Sequence, residues 1–225
     1  AADQQRFSLT VDLNDIVKSA KFKGSSENEI YYDYLRKLEE RRPRAEELKK
    51  LMIEDSLQAG TYKAELAVID EEVAKIQAEE IKKYPKTITS MLIRANQEID
   101  VPPYEDLEEI DRKQKQYEYF RAHYFDQFDL NDPRAMRSGV IQQKIDFYLQ
   151  KLTYQVPDSQ IVAMDYLLSK MDKNPEAFQY YLVHFLNESA RSKRMGMDAA
   201  YVHLVDQYYA KGLATWMEKE QLDKL

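Results

Sequence analysis

Between Ile141 and Tyr208 apolar side chains return every three or four positions in successive runs, a spacing that fits helix and little else. Ile141, Ile145, Tyr148, Leu149 and Leu152 share one predicted face. Ile161, Met164, Leu168 and Met171 share the next, entered through Pro157, Asp158 and Ser159. Asn174 is the predicted cap of a third helix, with Pro175 at its first position, where proline's missing N–H costs nothing. Phe178, Leu182, Phe185 and Ser189 mark that helix's inner face, and Gly196 is expected to end it in the left-handed conformation. A last helix uses Tyr201, Leu204, Val205 and Tyr208 and closes at Gly212. Helices of about 14–18 residues with short connections favour antiparallel neighbours. The starts near 140, 159, 175 and 198 hint at paired helices of solenoid type, but no residue signature recurs at a fixed period, so no repeat family is assigned.

The first half is also mostly helical. Ser26 to Glu29 reads as a capping box, with Ile30, Tyr31, Tyr34, Leu35 and Leu38 on one face and the Arg41-Arg42-Pro43 run as the stop. Tyr62, Leu66, Ile69, Val73 and Ile76 step by 4, 3, 4 and 3, a seam about two heptads long. Ala45, Leu48 and Met52 offer a facing stripe, so two antiparallel helices joined at Gly60 are expected, leaning on a larger body. Tyr84-Pro85 ends the hairpin, residues 87–96 form a further short helix, and Pro102-Pro103 enforces extended backbone within 99–109. Upstream, Phe7, Leu9, Val11 and Leu13 alternate with polar residues, which predicts a strand with one buried face. No convincing second strand appears, so this segment reads as the remnant of an upstream β-domain. The expected fold is all-α: an antiparallel helical bundle with a protruding helical hairpin, preceded by that strand. The expected divisions are 1–20 for the strand remnant, 21–100 for the helix and hairpin, and 101–225 for the bundle.

Composition narrows the functional classes. The chain has 225 residues, 5 glycines, 7 prolines and no cysteine. Disulfides, thiolate metal sites and cysteine nucleophiles are thereby excluded. A net charge of −7 with acids and bases interspersed leaves no nucleic-acid footprint. No apolar run approaches the roughly 18 residues needed to span a bilayer, and no signal peptide is visible at the start.

Residues 123–134, HYFDQFDLNDPR, place a histidine and three aspartates close together. His123, Asp126, Asp129 and Asp132 are the candidate ligands for a divalent metal. Only His123 and Asp126 have helical ligand spacing, and the series lacks the central glycine and terminal glutamate of a calcium loop. Asp132-Pro133 reads instead as a cap followed by proline at the first helical position, with Phe125 and Phe128 anchoring a loop to the core. The wheel places His203 beside Asp206 and Gln207 on a polar face, and His184 near Tyr180 and Asn187. A His–Asp pair can orient an imidazole for base catalysis, but neither a GxSxG motif nor a glycine-rich phosphate loop accompanies it. No catalytic residue and no cofactor is therefore assigned.

Tyrosine is abundant at 17 residues, with doublets at 31–32, 180–181 and 208–209. In each doublet one ring falls on the predicted core face and the other at its flank. Tyr180, His184, Tyr209 and Trp216 are the interaction candidates, since rings with a polar tip suit partner surfaces. The basic run at 190–194 sits at a helix C-terminus, where positive charge complements the macrodipole.

Three stretches, KFKGSSENEIYYDYL (21–35), HYFDQFDLNDPRAMRS (123–138) and YLVHFLNESARSKRMGMDAAYVHLVDQYYAKGLATWM (181–217), resemble a known family. It is the helical domain of unknown function that precedes a thioredoxin-like domain in exported proteins of certain Gram-negative bacteria. The resemblance spans most of residues 21–225 and is most specific in the third stretch. It implies a periplasmic or cell-envelope setting, a small β-domain before the helices, and a thiol-disulfide oxidoreductase domain after them. The WCxxC of such a domain is absent from these residues. The reading that follows is a non-catalytic helical domain that positions an attached or neighbouring thioredoxin-like domain or recognises its client proteins. Two alternatives stand beside it: a glycan- or peptide-binding module using exposed tyrosines, and a metal-dependent hydrolase at His123 and Asp126.

Overall fold

The computed structural model describes residues 6–217 and residue 220. It divides into two compact units, one up to Gln97 and one from Glu98 onward.

In the first unit, β1 (Ser8–Thr10) pairs antiparallel with β2 (Lys21–Lys23), with Leu9 opposite Phe22, and a single turn of helix, α1 (Ile16–Ser19), lies between them. The expectation of an unpaired strand is therefore corrected. The partner escaped sequence reading because Lys21-Phe22-Lys23 is too short to show alternation. The predicted buried face is corrected too: Phe7 and Leu9 are 45% and 47% exposed. Aromatic contacts from Phe7 to Phe22 and from Phe22 to Tyr32 tie the two strands to α2 (Ser26–Glu39). Gly24 follows β2 at φ +88, with the Arg6 carbonyl 3.2 Å from where a Cβ would stand. The cap of α2 is Ser25, one residue before the predicted one, and its hydroxyl accepts from the Asn28 N–H at 3.4 Å.

The hairpin consists of α3 (Arg42–Glu54), with Pro43 in its first turn, and α4 (Ala59–Lys83). The chain reverses at Asp55–Gln58, where the Asp55 carboxylate accepts from the Gln58 N–H at 3.4 Å and from the Tyr62 hydroxyl at 3.3 Å. Gly60, the expected joint, lies inside the first turn of α4. A short aspartate side chain that closes its own turn is the physical reason. Leu48 is fully buried and the five seam residues are half-buried, so the predicted stripes do face each other. Arg44 grips Glu65 through two nitrogens at 2.7 and 2.8 Å, and Arg41 reaches Glu72 at 2.9 Å. The base of α4 is held by Lys37, which donates to the buried Glu80, and by Gln77, which donates to Tyr34. α5 (Ile88–Ala95), capped by Thr87, completes this unit.

The second unit opens with extended chain through Pro102 and Pro103 into α6 (Glu109–Ala122). The helices α7 (Val140–Lys151), α8 (Pro157–Ser169) and α9 (Pro175–Arg191) begin within two residues of their predicted starts. Asn174 caps α9 as expected, accepting from the Ala177 N–H at 3.2 Å. Ile145, Leu167, Leu168, Met171, Leu182 and Phe185 form a closed core, each burial contributing about 1.5–3 kcal/mol.

One predicted end differs, and so does the register of the last helix. α9 stops at Arg191, and Gly196, at φ +81, belongs to the following turn, where its α-carbon passes beside Pro157. The last helix is α10 (Asp198–Leu204) followed directly by a π-helical turn, Val205–Tyr209, in which the Ala210 N–H bonds the Val205 carbonyl at 2.8 Å. The wider turn inserts one residue into the helical register. Tyr209 therefore enters the core at 2% exposure, and Tyr208, the predicted core residue, moves to the flank. Gly212 does close this element, at φ +73.

Candidate functional site

The histidine-aspartate loop disperses its carboxylates. His123 Nδ1 meets Asp126 at 2.5 Å on the surface, and the imidazole packs at a tilt against the Tyr119 ring. Asp129 instead accepts from the Asn131 backbone at 2.9 Å, closing a turn. Asp132 accepts from the Arg134 backbone and side chain at 2.9 Å, and this guanidinium holds its carboxyl below the usual carboxylate range. Asp132 leads into a short 3-10 turn, Ala135–Arg137, and not into an α-helix cap. Among the described residues no three His, Asp or Glu side chains gather as metal ligands. Phe125 and Phe128 are buried as predicted. Asn131 fastens the loop to the α8–α9 turn: its carbonyl oxygen accepts from the Lys173 N–H at 2.9 Å, and its amide donates to Asp172.

His203 has a different partner from the one expected. Its Nε2 lies 2.9 and 3.0 Å from the two carboxylate oxygens of Asp165 on α8, and the Tyr208 hydroxyl donates to the same carboxylate at 2.8 Å. Asp206 lies on the exposed side of the π turn. The inserted residue of the π turn brings Tyr208 within reach of Asp165, so both α10 and the turn are tied to α8. Burial and the Asp165 charge push the Tyr208 phenol well up, which makes it a donor and not a nucleophile.

The aromatic candidates separate. Tyr180 is 51% exposed and stacks parallel to His184, beside a shallow recess of about 370 Å³ that also takes in Val183 and Asn187. Tyr209 is corrected: at 2% exposure it cannot meet a partner, and burial pushes its phenol up to about 12. Trp216 is half-buried against Phe178, which also touches Tyr208.

On the other side of His184 lies a cleft of about 520 Å³ between α7, the start of α8 and the end of α9. Its lining includes Asp146 and Lys151 from α7, Glu188, Ser189 and Arg191 from α9, and Arg194 from the turn beyond. Gln155 donates to the carbonyls of Leu149 and Thr153 at 2.8 and 2.7 Å, and Gln160 donates to those of Leu149 and Tyr154 at 2.9 and 3.2 Å. The two amides thus share the open Leu149 carbonyl in the last turn of α7 and bond two carbonyls of the loop that follows it. The Arg194 guanidinium in turn donates to the Gln155 side-chain oxygen. Ser189, at 4% exposure, has a hydroxyl with no hydrogen-bond partner among the described residues.

The sequence pattern places Ser189 on an inner face and explains 190–194 as dipole complement. The cleft was missed because its α7 half lies some forty residues earlier in the chain. No signal in the sequence pairs Asp165 with His203 across 38 positions.

No curated protein and no solved structure matches the chain. A family profile described as a domain of unknown function, DUF5106, matches residues 71–225. That span takes in the second half of α4 and the whole described bundle, but not the quoted stretch 21–35, so the resemblance at family level covers less than expected. Over the larger part of its length, this chain belongs to the DUF5106 family.

Proposed function

We propose that this chain is a non-catalytic helical interaction domain of a cell-envelope protein from a Gram-negative bacterium, and that it positions a thioredoxin-like domain or recognises that domain's client. The observation that carries the binding half of this reading is the contrast between the polar groups. His123, His203 and their aspartates are engaged with one another or with neighbouring helices, whereas Lys151 and Arg191 in the α7–α9 cleft have no ion-pair partner among the described residues. The thioredoxin-like neighbour is supported by the resemblance of residues 123–138 and 181–217. Holding a redox centre near its client raises effective concentration without new chemistry.

The open reading frame tests the redox half. Continuation beyond Leu225 into a domain carrying WCxxC supports it, and a stop codon there or an unrelated domain removes it. A peptide-binding role, favoured over a glycan platform by the charged cleft beside Tyr180 and His184, is the second reading.

A further inference from the structure

We propose that the cleft between α7, α8 and α9 binds the free C-terminal carboxylate of an extended peptide. Charge is laid out along its length. α7 and α9 run alongside each other in the same sense: Tyr181 donates to Gln142 near one end, and Arg194 donates to Gln155 near the other. Asp146 and His184 therefore belong to one end of the cleft, and Lys151, Arg191 and Arg194 to the other. Asp146 and Lys151 are five helical steps apart, a rise of about 7.5 Å, or roughly two residues of extended chain.

Three features make the basic end a receptor for an anion and not merely a helix terminus. The carbonyls of Leu149, Thr153 and Tyr154, which would repel a carboxylate, already accept from the Gln155 and Gln160 amides. Among the described residues neither Lys151 nor Arg191 forms an ion pair, so their charge is not neutralised from within the protein. The Ser189 hydroxyl in the cleft wall is buried without a partner, an arrangement that costs stability unless something completes it. Asp146 and Glu188 in the same lining disfavour a compact polyanion such as phosphate and suit the N–H groups of a peptide backbone.

This inference deepens the interaction-domain reading but does not depend on the redox neighbour. Its test uses the chain alone, so its failure and that of the reading-frame test are separate. The uniformly nitrogen-labelled full chain is titrated with trialanine carrying a free carboxylate, with trialanine amide, and with inorganic phosphate, each to millimolar concentration. The expected result is saturable amide shifts at 149–155 and 188–194 with the free acid, and affinity lower by at least about tenfold for the amide. The exposed double variant Lys151→Gln/Arg191→Gln loses a similar factor and stays folded, its melting temperature lowered by only a few degrees through the lost helix-dipole complement. Ser189→Ala also weakens binding, without loss of stability. Equal shifts with acid and amide, shifts elsewhere on the chain, no shifts at all, or phosphate saturating at lower concentration than the peptide would each overturn the proposal.

Discussion

Gly196→Ala probes the turn that carries Arg194 past the start of α8. Gly196 sits at φ +81, in the left-handed region, where a residue with a Cβ costs about 1–2 kcal/mol. The new methyl would also stand 3.1 Å from Cγ of Pro157, closer than comfortable contact, although the pyrrolidine ring can yield by a few tenths of an ångström. Together the two effects predict a loss of about 1–3 kcal/mol, or a melting temperature lower by roughly 2–12 °C for a chain of this size. Trp216 is the single tryptophan and lies in the same unit, so urea unfolding followed by its fluorescence reports on this part of the molecule. The two terms are separable. Measured in a Pro157→Ala background, Gly196→Ala should keep the backbone cost and lose the contact cost. Gly196→Asn, which tolerates positive φ, should lie between wild type and alanine. A Gly196→Ala protein within about 0.5 kcal/mol of wild type would refute the reasoning, because that value is typical of surface changes that touch nothing.

Other substitutions have equally definite outcomes. Leu48→Ala removes a fully buried side chain from the hairpin seam and should cost about 2–5 kcal/mol in circular-dichroism melts, against less than about 0.5 for the 96% exposed Leu57→Ala. Because Arg134 depresses the Asp132 pKa, that pair stabilises the fold above about pH 4, the ordinary carboxylate value, and the contribution is lost as pH falls through the lowered folded value. Asp132→Asn should flatten this part of the acid limb in urea midpoints measured between about pH 2 and 5. Ser189→Ala deletes an unpartnered buried hydroxyl and should leave the free protein as stable as wild type or slightly more so, measured by the same urea midpoints.

The legible part of the fold was the part governed by local periodicity. Ile145, Met164, Leu168, Leu182 and Phe185 all lie in the core because a spacing of three and four places them on one helix face. Caps were legible to within a residue or two: Asn174 holds its predicted place, and Ser25 replaces Ser26 because either serine could supply the oxygen. The reversal at Asp55 was misplaced to Gly60 because glycine is the stronger generic breaker, whereas aspartate closed this particular turn. The π turn left no mark in the sequence. One inserted residue exchanged the roles of Tyr208 and Tyr209, which removed an interaction candidate and created the contact with Asp165. Candidate sites were less legible than the fold, since His203 with Asp165, and Lys151 with Arg191, are each assembled from helices distant in the chain.

The polar clusters of the second unit act as helix fasteners, and a double-mutant cycle on Asp165 and Tyr208 tests this most directly. Asp165→Ala, Tyr208→Phe and the double variant are unfolded in urea with Trp216 as the probe. A hydrogen bond of 2.8 Å to a carboxylate predicts a coupling of about 1 kcal/mol or more, with each single variant less stable than wild type. Additive single effects, with both variants within about 0.5 kcal/mol of wild type, would contradict it and leave His203, Asp165 and Tyr208 free for a chemical role.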